Sequence, residues 1–263
     1  VGDPTTAELL LLTLAAAAAG AVNALAGGGT LITFPALLAA GLAPVAANVT
    51  STLALAPGYF GATLAQRADL AGQGSRLAML LPPAALGGAA GAVLLLRGSE
   101  RAFEVLIPWL ILTAAVLIAA QEPVRRWLVA RGSGRAATAT AAARDAPALL
   151  RAGLPVALAA VYGGYFGAGL SVIVLAVLGV ALEDELRRLN AAKQAVALAV
   201  NLTAAACLAF SGRAAWPAVT AMALGALAGG AAGGRIAGRI DARVLRALVV
   251  TLGLAIGLFY LWR

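Results

Sequence analysis

Ten apolar runs organise the chain, at 7–26, 30–41, 44–66, 77–96, 102–120, 148–163, 167–180, 189–210, 214–234 and 244–262. Crossing a hydrocarbon core of about 30 Å takes about 20 helical residues. Most runs reach that length; 30–41, 148–163 and 167–180 fall short. A run of about twelve residues extends only about 18 Å. Each short run adjoins a glycine cluster, Gly27-Gly28-Gly29 or Gly163-Gly164 with Gly167 and Gly169. Short, glycine-broken segments in corresponding places of two halves are the mark of a transporter binding site. Both a spanning and a re-entrant course fit their lengths.

The order of landmarks repeats. In the first half a glycine cluster precedes a short helix with Pro35, then Ala47-Asn48-Val49-Thr50-Ser51-Thr52 opens a long helix that runs toward Arg67. In the second half Gly164 to Gly169 precede a short helix, then Leu189-Asn190-Ala191-Ala192-Lys193 opens a long helix that runs toward Arg213. A glycine-rich helix follows in each. The predicted fold is therefore an all-α membrane protein. It is a polytopic helix bundle of two related halves, an inverted repeat, with short Gly-broken or re-entrant helices. Residues 1–120 form the first repeat and 148–263 the second. Residues 121–147, with Arg125, Arg126, Arg131, Arg135 and Arg144 among small residues, read as a cytoplasmic linker. With that linker inside, the Arg-rich stretches 67–76 and 235–246 also fall inside. The stretches 97–101 and 211–213 and both termini fall outside. Val1 to Thr6 lack the positive region and cleavage pattern of a signal peptide, so the first run is expected to remain in the membrane.

Composition narrows the class. The chain is 62% hydrophobic and 11% charged, with mean hydropathy +0.94, where a soluble domain carries about 25% charged residues. The girdled alternation of a β-barrel is absent. The net charge of +8 would suggest nucleic acid in a soluble protein. Here the arginines lie between apolar runs and orient the chain against membrane lipid, so no nucleic-acid partner is expected. One cysteine, Cys207, and no histidine leave no metal site, and no cofactor motif is present. All Asp and Glu lie near run ends or in loops, so no catalytic residues and no enzyme activity are expected.

The chemistry that remains suits an anion. Lys193 is the only lysine and lies early in a helix, where the dipole disfavours a cation unless an anion joins it. A lysine reaching to the headgroups is the competing reading. Gly27, Gly28 and Gly29 break a helix and free backbone N–H groups beside a helix start, an arrangement that holds anions. Gly167 and Gly169 are their counterparts. Asn48, Thr50 and Ser51 in one half, and Asn190 and Asn201 in the other, supply neutral hydrogen bonds. They also suit helix capping and helix–helix contacts. A small anionic substrate is the expected partner, a homodimer is compatible, and an anion channel or non-transporting subunit is the alternative.

These stretches resemble the sulfite exporter TauE/SafE family. The resemblance rests on Asn23 to Pro35, Ala47 to Ser51, Gly163 to Gly169, Asn190 to Lys193 with Asn201, and the glycine-rich helix ending in Arg235. It implies an inner-membrane permease of two related halves for sulfite, sulfonates, related sulfur oxyanions or small organic acids, with export as the direction the family name carries. Some relatives carry Asn-Lys where this chain has Ser51-Thr52, so substrate identity does not transfer.

Overall fold

The computed structural model describes residues 5–25, 27–130, 141–182, 184–236 and 242–262. Among the described residues every regular element is helical. The order is α1 (Thr6–Leu25), α2 (Thr30–Ala39), α3 (Pro44–Ala65), α4 (Arg67–Leu70), α5 (Gly74–Arg97), α6 (Glu100–Ala130), α7 (Ala141–Tyr165), α8 (Leu170–Ala181), α9 (Leu186–Ala209), α10 (Trp216–Ile236) and α11 (Ala242–Trp262). Six of them, α1, α5, α6, α7, α9 and α11, are long and apolar enough to cross a membrane. Their outer faces carry exposed leucines such as Leu11, Leu86, Leu150 and Leu258. An apolar belt of that extent belongs against lipid.

Three boundaries depart from the expectation. The run 148–163 counted as short, yet α7 offers a 19-residue span from Pro147 to Tyr165. Gly163 and Gly164 stay inside this helix instead of breaking it. Residues 121–130, read as linker, continue α6, and 141–147 begin α7. The rest of that stretch, 131–140, lies outside the described residues.

Interhelical contacts pair the halves by exchange. α1 packs chiefly on α10, and α5 on α7; α3 also meets α10, and α9 meets α5. α3 also faces α9, and α6 faces α11. Glycines set the closest of these approaches. A Cβ at Gly225 or Gly229 of α10 would land on the carbonyl oxygen of Thr13 or Ala17 in α1. One at Gly91 of α5 would land on that of Val161 in α7, and one at Gly164 on that of Gly88. Backbone meets backbone there, the contact that small residues permit in membranes. The registers run in parallel, Thr13 to Gly225 and Ala21 to Gly233 in one pair, Ala157 to Gly87 and Val161 to Gly91 in the other.

Polar clasps close both ends of the bundle. At one end Glu100 accepts the Val45 N–H at 2.7 Å and pairs with Arg213 at 3.5 Å, while Thr50 Oγ1 accepts the Ala215 N–H at 3.1 Å. At the other end Asp184, fully buried, pairs with Arg76 and with Arg188 at 3.1 Å. Gln73 donates there to the Arg188 carbonyl at 3.0 Å, and Arg187 pairs with Asp69 at 3.2 Å.

These ends reveal the course of the short helices. α1 runs parallel to α10 from the Glu100 end, and α2 returns to that end just before Val45. α7 runs parallel to α5 from the Asp184 end, and α8 returns there just before Asp184. Each pair is a hairpin that enters and leaves by one face of the bundle.

Candidate functional site

The hairpin tips meet inside the bundle. Gly27, Gly167 and Gly169 hold φ of 75°, 88° and 80°, in the left-handed region that glycine supplies without strain. A Cβ on Gly27 would strike Ser171 at the start of α8, and one on Gly167 would stand 3.7 Å from the Thr30 hydroxyl at the start of α2. Both tips lie beside the middle of α6: Gly28 faces Ile118, and Gly169 faces Leu117 and Ala114. The structure thus brings the two glycine clusters together, with the starts of α2 and α8 crossing beside them.

Part of the expected backbone cradle is already engaged. Gly27 donates to the Val22 carbonyl at 3.0 Å, and Gly29 donates to Asn23 Oδ1 at 2.8 Å. The Tyr162 hydroxyl braces the second tip through the Ala168 carbonyl at 2.7 Å. Two of the three N–H groups of Gly27 to Gly29 are therefore committed within the protein.

Two side-chain hydrogen bonds cross the seam between α3 and α9. Thr63 Oγ1 donates to the Gln194 carbonyl at 3.5 Å and Asn201 Nδ2 to the Thr52 carbonyl at 3.4 Å, so the two helices run antiparallel. Asn190, Lys193, Gln194 and Asn201 share one face of α9, at spacings i, i+3, i+4 and i+11. Asn48, Ser51, Thr52 and Tyr59 repeat that spacing on α3. Antiparallel pairing sends the two sets toward opposite ends. Asn48 and Lys193 stand about 22 Å apart along the seam at 1.5 Å per residue. The candidate residues form a track, where reading the halves separately suggests one cluster.

Asn48 is fully buried and its Nδ2 donates to the Tyr165 carbonyl at 2.7 Å, which ties the start of α3 to the second hairpin. Ser51 shares a hydrogen bond of 2.6 Å with Thr33 of α2. Thr50 lies apart from the track, its hydroxyl holding the start of α10 through Ala215.

Lys193 is 3% exposed, enclosed by the protein and not on its outer face. Its Nζ lies 3.4 Å from Asn190 Oδ1, and among the described residues no carboxylate pairs with it. The neighbouring Gln194 is fully buried, and neither its Oε1 nor its Nε2 has a partner. Asn48 Oδ1 and Asn201 Oδ1 are likewise buried without one. Polar groups buried in this state are costly, by about 1–3 kcal/mol each, and an intramembrane cation without a counterion marks function by default. Gln194 and Thr33 escaped the reading of the sequence, although Gln194 falls one helical turn after Asn190.

Cavities of about 530 Å³ between α7 and α8, and about 510 Å³ beside Glu104 and Tyr260, include none of these residues. Polar clasps stand at both ends of the bundle that holds these residues. A model of the Sulfite exporter TauE/SafE family matches residues 12–260. No curated protein and no solved structure matches the chain significantly.

Proposed function

We propose that this chain, which belongs to the sulfite exporter TauE/SafE family, is a secondary transporter of a small anion in the inner membrane. Sulfite, a sulfonate, a related sulfur oxyanion or a small organic acid fits the site, with export as the working direction. The observation that carries this reading is buried Lys193, which lacks a carboxylate partner among the described residues and sits beside the unpartnered amide of Gln194. An anion beside Lys193 supplies the missing charge, and its oxygens accept from Gln194 Nε2. Gly27, Gly28, Gly29, Gly167 and Gly169 let the hairpin tips approach the track without side chains in the way. Asn48, Ser51, Asn190 and Asn201 offer neutral hydrogen bonds along it, and Thr50 supports the entry to α10. The two halves work as an inverted repeat, and alternate opening of the two clasped ends exposes the track to one side at a time.

Reconstituted vesicles test the transport mode. Loaded with unlabelled sulfite and placed in labelled sulfite, sulfonate or acetate, they are expected to show saturable uptake with counterflow. Flux that grows linearly with concentration and shows no counterflow would instead establish a channel.

The Asp184 end faces the cytoplasm, because Arg67, Arg76, Arg187 and Arg188 gather there. Ser75 and Ser99 are exposed at opposite ends of α5. In a Cys207→Ser background, Ser99→Cys should react with an impermeant thiol reagent in intact cells and Ser75→Cys only after lysis. The opposite pattern would invert the assignment.

A further inference from the structure

One face of α7 carries Ala148, Arg151, Ala152 and Pro155, at spacings i, i+3, i+4 and i+7. Ala176 and Val180 stand one turn apart on the facing stripe of α8. Apart from Arg151 these side chains are short, and the two helices leave a furrow of about 530 Å³ between them. That is a size that holds a small organic ligand, about 300–1,000 Å³. Leu150 and Leu154 on the adjoining face of α7 are exposed, so the furrow opens sideways, toward lipid.

Arg151 is the one charged group in the lining. It lies four residues inside the apolar span that begins at Pro147, about 6 Å along the helix axis. At that depth an arginine lays its stem along apolar surface and returns its guanidinium to the level of the lipid phosphates. Among the described residues no carboxylate pairs with it. At this end of the bundle Asp184 is engaged by Arg76 and Arg188, and Asp69 by Arg187. Orienting the chain takes positive charge at this end, which those arginines already supply, and takes no furrow beneath the charge.

We propose that the furrow between α7 and α8 binds an anionic phospholipid, its phosphate paired with Arg151 and one acyl chain lying against Ala152, Pro155, Ala176 and Val180. The furrow is apolar along its length and cationic at its membrane-surface end, the complement of an anionic amphiphile. A guanidinium meets phosphate oxygens through two parallel N–H bonds, which a zwitterionic headgroup offers with its own cation competing for them. The occupant touches both helices of the second hairpin, so binding stabilises the folded protein.

The test uses the full chain, stripped of lipid in a neutral detergent. Phosphatidylglycerol or phosphatidylcholine with identical acyl chains is titrated in, with bound lipid counted by native mass spectrometry and unfolding followed by thermal shift. One equivalent of phosphatidylglycerol is expected to bind about fivefold more tightly than phosphatidylcholine, the attraction that one basic residue adds, and to raise the melting temperature. Arg151→Gln should bring phosphatidylglycerol down to the level of phosphatidylcholine. Arg67→Gln, which removes the same charge on α4, an element packed on α3 and α9, should leave the ratio unchanged. Ala176→Phe fills the furrow and should weaken both lipids. Equal affinity of the wild-type protein for the two lipids overturns the proposal. So does an equal loss in Arg67→Gln and Arg151→Gln, which would make the preference a property of the whole basic surface. Displacement of the lipid by soluble glycerol phosphate at matching concentration would replace the lipid site with a site for free anions. If Ala176→Phe does not fold, the comparison of the two arginine variants decides alone.

Discussion

Lys193→Ala should reduce anion flux in reconstituted vesicles to background, a loss of at least about a hundredfold, while the protein stays folded. The flux loss follows from removing a buried cation that no carboxylate pairs with among the described residues. Stability should move the other way. A buried ammonium whose one hydrogen-bond partner among the described residues is Asn190 Oδ1, at 3.4 Å, is a cost to the fold. Its removal leaves the melting temperature unchanged or raised. Lys193→Arg retains the charge but replaces a compact ammonium with a planar fork that needs several acceptors, so transport should fall there too. Flux and thermal unfolding measured on the same preparations separate the two effects. Normal flux in Lys193→Ala would make the lysine a structural residue and remove the main support for an anion site.

A large effect on folding should come from Gly164→Val in α7 or Gly91→Val in α5. A Cβ at Gly164 falls on the Gly88 carbonyl, and one at Gly91 on the Val161 carbonyl. Side-chain overpacking costs about 1–3 kcal/mol because rotamers can shift. Here the obstacle is backbone, so the helices must separate along their length, and a cost above about 4 kcal/mol is expected. The readout is a sharp loss of monodisperse protein on gel filtration and of its thermal transition. Gly153→Ala is the control, because a Cβ at Gly153 meets nothing within 4 Å. A wild-type transition in Gly164→Val would mean that α5 and α7 do not approach this closely.

Some of this architecture was readable from residue order and some was not. The short helices α2 and α8 fell where the glycine clusters placed them, because three consecutive glycines, or Gly167 and Gly169 with φ near 80°, end a helix locally. Local chemistry did not separate Gly163-Gly164 from those clusters. The two continue α7 because Gly88 and Val200 pack against them, a tertiary fact with no trace in the flanking residues. The arginines of 121–130 looked like linker, yet α6 carries them to Ala130, as helix propensity favours for Arg, Glu, Leu and Ala. Asn48, Thr50 and Ser51 on α3 and Asn190, Lys193 and Asn201 on α9 stood out in the sequence, and Gln194 did not. Their separation along the seam was not legible there, since it depends on the antiparallel pairing of two helices distant in sequence. Burial of Lys193 is likewise a property of its neighbours: the same residue at the same helical depth could have faced headgroups.

The crossed pairing of the halves also sets a schedule for biogenesis. α1 is made well before α10, which carries the surface its small residues fit: Gly20 meets Gly230, synthesised 210 residues later. At about 5–20 residues per second, α1 waits about ten to forty seconds in the bilayer before its partner emerges. α5 waits far less for α7, because Gly91 and Val161 are 70 residues apart. During the longer interval the face of α1 that carries Ala16, Ala19 and Gly20, buried in the finished protein, must be held by lipid, by another early helix or by the insertion machinery. α10 is thus the scaffold on which α1 is finally seated.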